Sequence, residues 1–562
     1  MHLLNSLNQN LKMIPFVHEV GAAIACEYFN LSSQKQKKNQ KALCLFTAGP
    51  GITNAVTGIA GSHLESREIL ILGGQVKTND LKNKNQRQFG IQEIDGLNIL
   101  KPVTKYSVRL ASPIVEKKFK DICRLSSSNR KGAVFIEIPL DIQGTTIPSN
   151  KIHSQSNNIK FNSKRVDLKK ISQITELLKI YKKPLILLGG GINSSKLNFR
   201  IDEGLSKLGI PFQTTWNGLD LVDSRNPYFF GRPNIWGQRY SNIAIQECDL
   251  LITIGCKMGL QQTGFNFKSF APKAYKVMID IDPIELKKKN YKPNLKLISD
   301  ASEFLNLFFR KIKKNRFNYE NWINYLKNLK ETLPLSEKIN HLPGNYVNPY
   351  DFMITISDFL DHDKIIIPCS SGSANTVTFQ AFNQKFGQIV MNSKSLAAMG
   401  YGLSASIGAA LSDKNKITIL FEGDGGFIQN LQELGTLIQN NLNIKIFVFF
   451  DQGYASIRMT QKNYFQGKYI GCDLKTGLGL PNWRYLAKTY NLKFNQIKKS
   501  NLNTKLNQIL TDKGSSLNLL HIHPDQTYYP KIQSRINKNG KMESNPLDLM
   551  HPLINLPKLT MK

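Results

Sequence analysis

The chain has 562 residues, 41 % hydrophobic and 20 % charged, which excludes a disordered protein and calls for several domains rather than one core. Lys and Arg outnumber Asp and Glu by 74 to 41, a formal charge of +33, but the basic runs at 34–41, 82–87 and 311–316 lie in polar stretches without interleaved aromatics, so they read as solvated surface and not as a nucleic-acid groove. No apolar run is long enough to span a membrane, no signal peptide opens the chain, and seven scattered cysteines without a CxxC pair fit reduced thiols in a cytoplasm, not a disulfide frame or a zinc site.

Taken in chain order, short apolar runs ending in glycine recur: ALCLFTAGPG at 42–51, EILILGGQ at 68–75, PLILLGGG at 184–191, DLLITIGC at 249–256 and ITILFEGDGG at 417–426. IKIFVFF follows at 444–450. Runs that are apolar throughout suit strands buried on both faces, hence parallel sheets covered by helices. With amphipathic segments between them the fold class is α/β. Polar joints at 144–160 and 334–349 divide the chain into three blocks of domain size, and the last stretch reads as an extended tail.

Two aspartates stand out in the third block. Asp424 and Asp451 each lie just past an apolar run and just before or near a glycine. Between them Phe427, Leu431, Leu434 and Ile438 are spaced as one face of a helix. The unit is therefore strand, Gly-rich loop, helix, strand. A right-handed crossover makes the strands parallel and puts both carboxylates at one edge of the sheet, where ligands of open α/β sheets bind. Two carboxylates beside a phosphate-friendly loop suggest a divalent cation holding a diphosphate.

This stretch, EGDGGFIQNLQELGTLIQNNLNIKIFVFFDQGYASIRMTQ, resembles the diphosphate-binding motif of thiamine-diphosphate enzymes, most closely their acetolactate synthase-like branch. The resemblance covers nearly the whole chain and implies three doubly wound parallel-sheet domains: pyrimidine-binding at 1–145, central at 160–335 and diphosphate-binding at 346–530, with a tail at 531–562. It implies that Asp424, Asp451 and the Gly453 carbonyl hold Mg2+, and that Gly423, Gly425, Gly426 and Tyr454 frame the diphosphate. The family has Asn-Asn where this chain has Phe450-Asp451, which adds a negative charge.

Other segments match in order. PFVHEVGAA makes Glu19 the carboxylate beside N1′ of the cofactor's aminopyrimidine, and TAGPGITNAVTG resembles the segment that follows. IQEIDG makes Gln92 an active-site glutamine, with Ile91 where a phenylalanine is usual. SLAAMGYG places Met399 as the apolar wedge under the bent cofactor and the Ala397 backbone as acceptor for its 4′-amino group. Ser371, Gly372 and Ser373, at a strand end, are expected phosphate contacts. Relative to the family, about one strand and part of a helix are expected to lie before position 1, so the pyrimidine-binding domain lacks its first strand.

The resemblance further implies a homodimer or homotetramer, because Glu19 and the diphosphate site come from different subunits. It implies decarboxylation of a 2-oxo acid, pyruvate, and transfer of the acyl unit to a carbonyl acceptor. Thr460 stands where acetolactate synthases carry a tryptophan, and the tail resembles relatives linked to surface-polysaccharide sugars, so a sugar-linked acceptor is expected, with acetolactate synthase of amino-acid biosynthesis as the alternative. FAD is a further expected ligand of the central block, where GGGINSS and VMIDIDPIEL have the right form and GLQQTG does not. The contrasting class is a catalytically silent relative that binds the cofactor or a partner only.

Overall fold

Strands apolar at every position need cover on both faces, and the chain meets that need with three separate sheets. The computed structural model describes residues 2–146 and 166–554, so most of the first polar joint lies outside it. The first sheet comprises β1 (Cys44–Phe46), β2 (Ile69–Gln75), β3 (Tyr106–Arg109) and β4 (Ala133–Pro139), ordered β1-β2-β4-β3. The second comprises β5 (Pro184–Leu188), β6 (Phe212–Thr214), β7 (Leu250–Ile254), β8 (Tyr275–Asp280) and β9 (Leu295–Ile298), ordered β6-β5-β7-β8-β9. The third comprises β10 (Ile365–Pro368), β11 (Ile389–Val390), β12 (Thr418–Gly423), β13 (Ile444–Phe450), β14 (Lys493–Ile497) and β15 (Ser516–His521), ordered β11-β10-β12-β13-β15-β14. Every pairing in the three is parallel. The fold class expected from the sequence is the one observed.

In the third sheet the strand order reverses between β10 and β12, which creates a crevice at their carboxyl ends. The register Gly423↔Phe449 brings the ends of β12 and β13 level. The helix expected from Phe427 to Ile438 is broken. Asp424–Phe427 is α-helical, Ile428–Glu433 is a 3-10 segment, and Leu434–Gln439 is α-helical again. Asn430 leaves the helical region (φ −138°, ψ 29°). Its Nδ2 donates to the Gly400 carbonyl at 2.7 Å, a side-chain bond that competes with helix regularity.

The first and third domains share a core. Ile24 and Tyr28 of helix Glu19–Lys35 pack with Leu403 and Ile407 of helix Tyr401–Ser412. The two backbones nearly touch, since a Cβ on Gly408 would lie 2.0 Å from the Ala25 carbonyl oxygen. Within this contact the buried Arg67 guanidinium donates to Glu27 at 2.5 Å, and the Tyr401 hydroxyl donates to the same carboxylate at 3.0 Å. The basic run at 34–41 is not only solvated surface: Lys35 pairs with Asp220 of the middle domain at 2.7 Å and Lys38 with Asp413 of the third at 2.8 Å. The tail forms an antiparallel hairpin, β16 (Ser534–Ile536) and β17 (Met542–Ser544). Beyond the hairpin, residues 550–552 are strapped to the middle domain by Arg239, which donates to the Met550 and Pro552 carbonyls, each at 3.0 Å.

Replacing Arg67 by Ala leaves the Glu27 carboxylate buried without its cation. Chemical denaturation is expected to show a loss of about 3–5 kcal/mol; a loss under about 1 kcal/mol would show that this buried pair, which sits beneath the Tyr401 contact, adds little to stability.

Candidate active site

His18 starts the helix that carries Glu19, its imidazole accepting from the Val20 N–H at 3.3 Å. Glu19 is half-buried and accepts from Asn54 Nδ2 at 3.1 Å. Asn54 lies in the first turns of helix Pro50–Leu64, just after the Gly-Pro-Gly turn. That turn rests on Gln92: a Cβ on Gly49 would lie 2.4 Å from the Gln92 carbonyl oxygen. Gln92 itself is exposed and left-handed (φ 58°), beside Ile91 at 90 % exposure and Phe89 at 64 %. Glu19 is thus joined to Asn54, and Gln92 to Gly49. Among the described residues no hydrogen bond links either Glu19 or Gln92 to the diphosphate loop of the same chain. The backbone N–H groups of His18 and Val17 are instead held by Glu433, at 2.9 and 3.4 Å.

The other half lies at the β10/β12/β13 edge. Asp424 is fully buried, one oxygen accepting from Gly425 N–H at 2.6 Å and the other from Gly453 N–H at 3.0 Å. Asp451 is also buried and accepts from Arg458 Nη2 at 3.1 Å and from the Tyr528 hydroxyl at 3.2 Å. Burial, and then the charge of Asp451, push the Asp424 carboxyl well above the usual range. Burial pushes Asp451 up as well, against the pull of Arg458 and Tyr528. Two carboxylates driven toward protonation in one dry place are a natural cation seat. Among the described residues no cluster of three His, Cys, Asp or Glu forms a complete metal cage, so a cation here must draw ligands from backbone, water and its own phosphate.

The surrounding loops leave room for such a ligand. A Cβ on Gly423 or Gly372 would meet nothing within 4 Å, so both backbones face open space. Gly372 opens helix Gly372–Ala381, with Ser371 before it and Ser373 buried behind, a helix N-terminus with no side-chain cap. Gly425 is close-packed instead: a Cβ there would lie 2.3 Å from the Tyr454 ring, so Tyr454 fixes the loop from behind. Gly426 follows in the same helical turn. Ala397 is exposed and left-handed (φ 55°). Met399, half-buried, takes a contact from Gln429 Nε2 at 3.5 Å, so the 397–399 loop lies over the segment downstream of Asp424.

Arg458, Tyr528, Glu422 and Glu433 were not legible as site residues. Arg458 and Tyr528 come seven and 77 positions after Asp451, from another helix and from the last residues of the third domain. Glu422 lies beside Asp424 in sequence, but its carboxyl is pushed up to about 8 by burial, against backbone N–H groups of Gly402 and Leu403.

The residues at this edge fit a thiamine diphosphate with its cation; in the middle domain the glycines of the expected flavin motif pack against the chain itself. There the strand order reverses between β5 and β7, where a dinucleotide would enter. The glycines at its base are in close contact with neighbouring backbone. Gly191 N–H bonds the Gly255 carbonyl, and a Cβ on Gly190 would lie 2.7 Å from that of Asn217. Asn217 donates to Glu65 at 2.7 Å, and the other Glu65 oxygen accepts from the Lys394 and Ser395 N–H groups at 2.7 and 2.6 Å. Asp282 of the DID segment is taken by Arg130 at 2.6 Å.

Comparison with known proteins agrees with this layout. The model for the thiamine pyrophosphate enzyme N-terminal TPP binding domain matches residues 1–99. The central-domain model matches 171–308 and the C-terminal TPP binding domain model matches 370–518. The chain is 30 % identical over 501 residues to a probable acetolactate synthase large subunit of Methanococcus aeolicus, covering 86 % of this chain and 81 % of that protein. It is 29 % identical over 551 residues to the acetolactate synthase large subunit of Cyanidium caldarium, covering 95 % and 89 %. It is 27 % identical over 515 residues to the acetolactate synthase isozyme 2 large subunit of Escherichia coli (strain K12), covering 91 % and 88 %.

Asp424→Asn removes one buried charge at nearly constant volume, but its single oxygen can keep only one of the two loop N–H bonds, from Gly425 or from Gly453. Relief of the burial that raises the carboxyl and loss of one N–H bond oppose each other, so the ligand-free variant is expected to melt close to the wild-type temperature. The extra stabilisation that Mg2+ and thiamine diphosphate give the wild type is expected to disappear. Differential scanning calorimetry checks both; a ligand-induced shift equal to that of wild type would remove Asp424 from the seat.

Proposed function

The chain belongs to the thiamine pyrophosphate enzyme family, acetolactate synthase-like, and from that premise we propose that it decarboxylates pyruvate and joins the resulting two-carbon acyl unit to a second 2-oxo acid. The observation that carries this reading is the pair of buried carboxylates, Asp424 and Asp451, at the same sheet edge as the open Gly423 and Gly372 backbones, at the switch point of the third sheet. When bound, thiamine diphosphate supplies the carbon nucleophile for the 2-oxo acid carbonyl and stores the electron pair after CO2 leaves.

The chain's own groups do the rest. Asp424, Asp451 and the Gly453 carbonyl would hold Mg2+. The N–H groups at Gly372 and Ser373, the Ser371 hydroxyl and the Gly423–Gly426 turn would hold the diphosphate, with Tyr454 bracing that turn. Met399 would support the cofactor, and the Ala397 carbonyl would accept a hydrogen bond from its aminopyrimidine. Glu19 would hold a proton at N1′ of the aminopyrimidine, and Gln92 would orient the acyl side. Gln92 is exposed beside Ile91 and Phe89, and neither it nor Glu19 is bonded to the diphosphate loop of its own chain among the described residues, which supports a homodimer in which a second copy's diphosphate edge meets them.

The acceptor expected from the tail and from Thr460 was a sugar-linked carbonyl. The relatives found are named acetolactate synthases and favour the alternative, a second 2-oxo acid. Thr460 still distinguishes this chain. It is exposed and its hydroxyl bonds back to the Ser456 carbonyl at 2.9 Å, so a small residue occupies a helix face where a large one would narrow acceptor access.

The test is product analysis with pyruvate alone and with 2-oxobutyrate, in the presence of thiamine diphosphate and Mg2+. Acetohydroxy acids are expected, and Glu19→Gln is expected to lower CO2 release about 10²-fold or more while cofactor affinity stays within a few-fold. CO2 release without an acetohydroxy acid would contradict the acceptor; no release from pyruvate would contradict the donor.

A further inference from the structure

A seat with two carboxylates carries a charge problem. The charge of a divalent cation is already matched by Asp424 and Asp451, so an incoming diphosphate meets no net positive field. The structure places one cation at this point. Arg458, in helix Ala455–Tyr464, is 7 % exposed and its Nη2 lies 3.1 Å from Asp451 Oδ1. It is the cation that bears on both carboxylates. The same Nη2 holds the Asp451 carbonyl at 2.5 Å and the Pro524 carbonyl at 3.2 Å. Its Nε and Nη1 are buried and have no partner among the described residues, and Nη1 would lie 3.1 Å from a Cβ on Gly453. A buried guanidinium with two idle donors beside the loop that receives an anion is not explained by its bonds to the chain.

We propose that Arg458 is a working part of the diphosphate seat: it cancels the charge of Asp451, so that Asp424 and the metal ion are left to hold the diphosphate. The inference rests on the proposed metal–diphosphate role of Asp424 and Asp451. It explains how an aspartate is tolerated at position 451, because Asp451 and Arg458 together are as neutral as an amide. The competing role is mechanical. Arg458 pins the backbone of residue 451 to Pro524, a role indifferent to whether residue 451 is charged.

A double-mutant cycle separates the two. Wild type, Arg458→Gln, Asp451→Asn and the double variant are titrated with thiamine diphosphate at saturating Mg2+, read by quenching of tryptophan fluorescence. Trp483 packs against Phe450, next to the seat, with ring centroids 6.2 Å apart. Arg458→Gln is expected to weaken binding about 10-fold or more when residue 451 is Asp, and by less than about 3-fold when it is Asn. Equal losses in both backgrounds, or none in either, would overturn the proposal in favour of the mechanical role or of no role. Arg458→Lys keeps the charge without the fork, so it covers the case in which Arg458→Gln does not fold. It is expected to bind within about 5-fold of wild type, and a loss as large as that of a neutral residue would count against charge compensation. Wild type that fails to bind thiamine diphosphate with Mg2+ would instead remove the metal–diphosphate reading itself, and this inference with it.

Discussion

Two buried carboxylates at one sheet edge set the terms for the rest of the molecule. Asp424 and Asp451 are side by side because β12 and β13 are parallel neighbours with Gly423 opposite Phe449, so the loops leaving both strands start level. Left alone, such a pair opposes folding. It is held by backbone N–H groups of Gly425 and Gly453, by Arg458 and by the Tyr528 hydroxyl. These partners come from the loop, the next helix and the segment just before the tail, so the end of the third domain folds back onto the site.

The remainder of the architecture ties this edge to the element that carries Glu19. Helix Glu19–Lys35 packs on Tyr401–Ser412 with nearly touching backbones, and its first residues hang from Glu433, in the broken helical segment that begins at Asp424. The Glu65 carboxylate gathers Asn217 of the middle domain and the N–H groups of Lys394 and Ser395, just before the Ala397–Met399 loop. The three domains therefore meet in hydrogen-bonded contacts that border the proposed cofactor site. The middle domain contributes Asn217 and Asp220 to these contacts.

Much of this was legible in the sequence because it rests on local pattern. The runs PLILL, LLITI and IKIFVFF are strands with the bounds their apolar residues suggest, and the carboxyl-edge position of Asp424 and Asp451 follows from parallel pairing alone. What escaped rests on contacts between distant segments. The run at 34–41 reads as a solvated face, and only the fold shows that Lys35 and Lys38 clamp two other domains. The apolar spacing from Phe427 to Ile438 matches one helix, but periodicity cannot report that Asn430 trades its helical conformation for a bond to Gly400. Arg458 looks like an ordinary helix arginine until Asp451 is seen opposite it. The flavin motif in the middle domain is present in outline, yet its glycines and Asp282 are used by the chain itself.

The measurement that bears most directly on this account is calorimetric titration of the purified protein with thiamine diphosphate, with Mg2+ and again with a chelator. Saturable binding that is lost on chelation is expected. Binding of equal strength without a divalent cation, or none with one, would contradict the assignment of Asp424 and Asp451 as a cation seat for a diphosphate.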